Sequence, residues 1–206
     1  MAFWQKKVGG EIAYYDLNDW WEKTLTKEER TIIKTTLNPM MISGKSIDEG
    51  EISFSSKSRL AFLGSLSSWF KKPELYSIGK KILQVGEECY KDSNDVLDQH
   101  YFCLEEIRLH YANREYDATA LEKAIYFCKE QIKLAPKAKA AFRQDPNFRR
   151  MPLPLHSGYQ QLAIIYEKQK RYADALALSE EAYSAGWNQE DCSKRIPRLK
   201  KKIQSE

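Results

Sequence analysis

The residues that look most like chemistry are His100, Cys103, Glu106 and His110, close together in one stretch. Histidine and cysteine are the usual protein ligands for zinc, and a structural site closes with four of them. The surrounding pattern is helical, and ten residues of helix rise about 15 Å, so His100 and His110 cannot share one ion. His100 with Cys103, or Glu106 with His110, would each supply two ligands, and nothing nearby in the chain completes a set. No metal and no other cofactor is expected.

Candidates for acid–base work are the glutamate pairs at 28–29, 87–88, 105–106 and 180–181. Neighbouring helical residues point about 100° apart, so such pairs do not converge on one substrate atom. The GxSxG, HExxH and GxGxxG patterns do not occur. Ser43-Gly44-Lys45-Ser46 imitates the end of a phosphate-binding loop. Pro39, however, stands where the first glycine belongs, and a helical pattern precedes it where a strand is needed. His156 and Ser157 adjoin just before a helix, where Ser157 reads as the N-cap. The chain therefore reads as non-enzymatic.

Composition bounds the remaining options. The chain has 206 residues, with 33 Lys and Arg against 29 Asp and Glu, a net charge of +4. That excess is too small to argue for nucleic acid by itself. Lys6 and Lys7 are followed by no apolar stretch before Glu11, so no secretory signal is expected at the start. No run approaches the roughly 18 apolar residues of a membrane helix. Cys89, Cys103, Cys128 and Cys192 lack paired spacing, which suits reduced thiols in a cytoplasmic protein.

The elements that must position these residues are helical. Residues 1–54 divide into an arm, 1–15, and two helices. The first carries Leu17, Trp20, Trp21 and Leu25 toward one face, and the second opens with Thr26 and Glu29 at capping-box spacing. It runs through Ile32, Ile33 and Leu37 to Asn38-Pro39. From residue 55 a chain of helix hairpins begins, at about 56–90, 97–136 and 157–187, followed by a capping helix over 190–204. In the first hairpin, Gly79 and Gly86 mark close packing against a neighbour. Pro136 closes the second. Residues 137–156 then form a basic loop, in which Lys137, Lys139, Arg143, Arg149 and Arg150 stand out.

The clearest hairpin is GYQQLAIIYEKQKRYADALALSEEAYSAGW, residues 158–187. Tyr159, Leu162, Ala163 and Tyr166 on its first helix, with Ala175, Leu176 and Ala182 on its second, resemble the tetratricopeptide repeat. Ser179 departs from that family's aromatic position. Small residues at 163, 175 and 182 would let two antiparallel helices approach closely. Ala124 is equivalent to Ala175 but lies 51 residues earlier, against a repeat period of 34, and the surplus falls in the basic loop. The implied fold is all-α: antiparallel hairpins stacked as a short solenoid, with an N-terminal helical region and a capping helix.

The resemblance further implies that the first helix of each hairpin lines a concave groove. Its positions are Ser58, Ala61, Ser65 and Trp69, then Phe102, Glu105, Leu109 and Asn113, then Gln160, Ile164 and Glu167. On this reading the chain is a non-catalytic adaptor that holds a protein or peptide partner, with the basic loop gating or extending the site. A second reading is a regulator touching nucleic acid through the basic loop and the Lys194–Lys202 tail. Membrane attachment is not expected, and self-association through exposed repeat edges remains open.

Overall fold

The computed structural model describes residues 8–37 and 46–205, and within them the chain is helical with no strand. Trp4, Pro39 and the Ser43–Lys45 part of the phosphate-loop look-alike lie outside the described residues. The elements are α1 (Gly10–Tyr14), a π-helical turn (Trp20–Thr24), α2 (Lys27–Leu37), α3 (Arg59–Ser67) and a 3-10 turn (Pro73–Leu75). Then come α4 (Tyr76–Asp92), α5 (Val96–Ala112), α6 (Ala120–Gln144), α7 (Ser157–Lys168), α8 (Tyr172–Ser184) and α9 (Gln189–Gln204).

Leu17, Trp20, Trp21 and Leu25 are all buried, but they do so around the π-helical turn rather than on a regular α-helix. The helix after them starts as its capping box requires. Thr26 N–H donates to Glu29 Oε2 at 2.8 Å, and Glu29 N–H donates to Thr26 Oγ1 at 3.2 Å. Ile33 and Leu37 point into the core while Ile32 is exposed.

Consecutive helices pack as neighbours: α3 on α4, α5 on α6, α7 on α8, and α8 on α9. Contacts also join α3 to α5, α4 to α5, α5 to α7 and α6 to α7. Helix α5 is the most enclosed, because α3, α4, α6 and α7 all touch it. Its fit against α4 rests on the two glycines. A methyl group at Gly86 would collide with the Phe102 ring, and one at Gly79 would lie 2.7 Å from Leu109 Cδ1. The glycine pair and the Phe102–Leu109 pair share a spacing of seven residues, so two turns of each helix interlock.

Two expected boundaries move. Pro136 does not close the second hairpin, because α6 continues through it to Gln144. Proline in a helix interior costs about 3 kcal/mol. Here the extra turns bury Ala138 and Phe142, at 0% and 1% exposure, against Tyr159 and Trp187. The segment expected as a loop over 137–156 is thus helical as far as 144 and irregular only from Asp145. The N-cap of α7 is His156, not Ser157: its Nδ1 accepts from Tyr159 N–H at 3.4 Å. Asn188 fixes His156 there, accepting its N–H at 2.7 Å and donating to its carbonyl at 2.9 Å.

Candidate functional site

Helix α3 and the turn after it bury Leu60, Phe62, Leu63, Leu66 and Phe70 and leave a stripe of small residues outside. Ser58, which also caps the helix by accepting Ala61 N–H at 3.0 Å, begins that stripe. Ala61, Ser65, Ser68 and Trp69 continue it, and Trp69 is 43% exposed. Opposite them, α5 shows Asp98, Tyr101, Glu105 and Arg108. Between the stripes lies a groove of about 300 Å³ whose α3 wall is Ala61, Gly64, Ser65 and Ser68 and whose α5 wall is Asp98, Tyr101 and Glu105. Lys57 Nζ reaches over it to Ser65 Oγ at 3.3 Å. Small side chains on one wall and a half-exposed tyrosine on the other leave room for an extended chain and give it an aromatic face.

The α5 residues expected in the groove are only partly there. Glu105 lines it, held by Arg108 at 2.9 Å and by Lys71 at 3.8 Å. Phe102, at 1% exposure, contributes to the floor, whereas Leu109 and Asn113 are fully buried. Asn113 Nδ2 donates to Lys71 O at 3.0 Å and Leu109 O at 2.8 Å, which ties the end of α5 to the turn after α3. The register is off by one position: Phe102 and Leu109 face the α4 glycines, so the open stripe falls on Tyr101 and Arg108. The seven-residue match between Gly79/Gly86 and Phe102/Leu109 was the signal in the sequence that could have set it.

On α7, Gln160, Ile164 and Glu167 are half-buried. Glu167 is taken up by two guanidinium groups, Arg195 at 3.0 Å and Arg198 at 2.8 Å. Ile164, Glu167, Arg195 and Arg198, with Lys168, Asp191 and Lys194, line a separate cleft between α7 and α9, and Gln160 is not part of its lining.

Of the basic-loop residues, two are committed to the fold. Lys139 Nζ donates to Ala185 O at 2.7 Å, at the end of α8. Arg143 donates to the carbonyls of Arg149 at 3.0 Å and Met151 at 2.7 Å, and so shapes the turn that follows α6. Lys137, Arg149 and Arg150 are exposed.

The histidines occupy two interiors. His110 is 1% and Glu106 0% exposed, with His110 Nε2 at 3.1 Å from Glu106 Oε2. Tyr76 Oη lies 2.8 Å from His110 Nδ1 and donates to Asp117 Oδ2 at 3.2 Å, where Lys80 also donates at 3.0 Å. Burial pushes the Glu106 carboxyl well up and, with help from Lys123, pulls His110 down to about 4, so burial favours the neutral form of each. The order Glu–His–Tyr–Asp resembles a proton relay, but its inner members are closed to any solute in this packing. His100 and His156 sit in the other interior, ring centres 5.0 Å apart, both packed on Trp187. Burial lowers His100 to about 4; burial, then the neighbouring His100, lowers His156 to about 3. Burial likewise raises the Cys103 and Cys128 thiols to about 12, so neither is poised as a nucleophile. Among the described residues, no three His, Cys, Asp or Glu side chains gather as a metal site, and no helix is long and apolar enough to cross a membrane.

No protein-family model, curated protein or solved structure matches this chain.

Proposed function

We propose that the chain is a binding module built from tetratricopeptide-like hairpins, and that the groove between α3 and α5 holds an extended segment of a partner protein. The observation that carries this reading is the groove itself: Ala61, Gly64, Ser65 and Ser68 face Tyr101 across an open channel. The packing order supports it, because the first helix of each pair touches the first helix of the next, α3 to α5 and α5 to α7. Such stacking sets the first helices side by side, which is what a continuous ligand face requires. An apolar anchor would lie on Tyr101 and the small α3 wall, and basic residues of the partner would meet Asp98 and Glu105. The nucleic-acid reading loses ground, since Lys139 and Arg143 spend their hydrogen bonds on backbone carbonyls.

The test is selection of displayed random peptides on the immobilised chain, with the selected peptides then titrated against Ser65→Trp, which fills the channel. Peptides that bind the parent and lose about tenfold or more in affinity to the variant support the groove. Equal binding to both chains, or no selectable peptide at all, overturns it.

A further inference from the structure

We propose that the cleft between α7 and α9 takes an acidic segment of a partner protein; this rests on the binding-module reading and gives one of its sites a ligand chemistry. The cleft, of about 580 Å³, is lined by Ile164, Glu167, Lys168, Asp191, Lys194, Arg195 and Arg198. Four cations there face two carboxylates, and both carboxylates are already bound. Arg195 donates to Glu167 at 3.0 Å and to Asp191 at 3.1 and 2.9 Å, while Arg198 donates to both oxygens of Glu167 at 2.9 and 2.8 Å. Arg195 is only 6% exposed, and its buried Nε–H has no acceptor among the described residues. The two acids thus hold a guanidinium platform in place, and the charge left over is positive.

That surplus faces outward. The Lys168 ammonium rests 5.6 Å from the Tyr111 ring centre and makes no ion pair among the described residues. Lys194 pairs at 2.6 Å with Glu190, but both side chains are largely in water, where such a pair is worth little. Lys194, Arg198 and Lys201 are exposed at successive turns of α9, which carries the positive field along the helix away from the cleft.

A protein segment suits this site better than a phosphate backbone. A nucleic acid presents a charge every few ångströms and no apolar side chain to place on Ile164. Spaced glutamates or aspartates can meet Lys168, Lys194 and Arg198 while an intervening apolar side chain reaches Ile164. Each exposed contact is worth only about 0.2–1 kcal/mol, so the affinity comes from several together and weakens with salt.

The experiment uses the full chain and a fluorescent peptide of alternating glutamate and leucine, read by anisotropy. A lysine-for-glutamate version and a thymidine oligonucleotide serve as comparison probes. We expect the acidic peptide to bind, to lose about tenfold in affinity to Lys168→Glu/Lys194→Glu, and to be insensitive to Ser65→Trp. Both lysines are exposed and outside the Arg195 network, so circular dichroism should find the doubly reversed chain folded. Equal affinity for parent and variant overturns the proposal, as does tighter binding of the oligonucleotide than of the peptide. If the acidic peptide fails while display-selected peptides still bind the α3–α5 groove, this inference falls alone. If those fail too, the binding-module reading falls with it.

Discussion

Near the start of α5, Gln131, His156 and Asn188 are buried with their polar atoms used to stitch the backbone. Gln131 donates to His100 O at 2.8 Å and accepts Gly158 N–H at 2.6 Å, and Asn188 brackets both backbone groups of His156. In the second half of α5, Glu106 and His110 are buried equally deeply, yet neither oxygen of Glu106 finds a well-directed hydrogen-bond donor. The first interior uses the Gln131 and Asn188 amides fully on backbone groups and so fixes the path of the chain between α6, α7 and α9, while His100 Nδ1 and His156 Nε2 find no partner among the described residues. The second holds an acid whose carboxyl burial pushes toward its neutral form. Burial alone therefore does not tell whether a polar residue supports a fold; satisfaction does.

Acid should separate the two interiors most strongly: in the second, the lowered His110 and the raised Glu106 act with opposite sign, whereas in the first both histidines act together. His100 and His156 titrate well below the ordinary histidine value of about 6.5 when folded, at about 4 and about 3, so the unfolded chain binds their protons first. Their contribution to stability is complete above about pH 6.5 and is lost as the pH falls from there toward the folded values. Each histidine removes about 1.4 kcal/mol per pH unit in that window, so the two together should take about 4 kcal/mol between pH 6.5 and 5. Urea denaturation at pH 7.5, 6 and 5 measures this. In His156→Phe the dependence should flatten by one proton, and an unchanged slope would mean that His156 is not the neutral group described.

Next in size is Gln131→Leu, which leaves Gly158 N–H in the first turn of α7 buried without its partner, whereas His100 O keeps its bond within α5. That one orphan, with the lost tie between α5 and α6, should lower stability by about 2 kcal/mol. A loss under about 1 kcal/mol would show that α7 and α5 do not depend on this residue for their docking.

The opposite sign is expected for Glu106→Leu. A carboxyl whose folded pKa is raised holds its proton where the unfolded chain has released it, so it withdraws stability as the pH rises above its ordinary range. Replacing it by a side chain of similar volume should be neutral near pH 5 and stabilise by about 1 kcal/mol near pH 8. Destabilisation at both pH values would mean that the His110 contact contributes more than the burial of the acid removes.

These interiors also mark how far the sequence could be read. Local chemistry was legible where the atoms that decide it lie within a turn, as at Thr26 and Glu29. The two glycines of α4 announced a close neighbour, and their seven-residue spacing recurs at Phe102 and Leu109, but the hairpin resemblance placed those two residues in the groove instead. Pro136 misled for a related reason. Its local penalty is a property of the chain, whereas the burial of Ala138 and Phe142 that outweighs it depends on Tyr159 and Trp187, which lie beyond the end of α6. Likewise Ser157 is the better cap by type, but Asn188 places the backbone of His156, not Ser157, at the helix start.

The smallest effect on stability should come from the open stripe. Ser65 is exposed, and among the described residues its hydroxyl receives only the long Lys57 contact at 3.3 Å, so Ser65→Trp should change stability by no more than about 0.5 kcal/mol. The same substitution should weaken binding of peptides selected on the parent chain by about tenfold or more. The contrast with Gln131→Leu sharpens the difference between the two kinds of polar residue: one side chain bonds only within the fold, the other borders space that the fold leaves unfilled. A Ser65→Trp chain that unfolds at clearly lower urea would place that indole against the core, and the channel between α3 and α5 would then belong to the packing rather than to a partner.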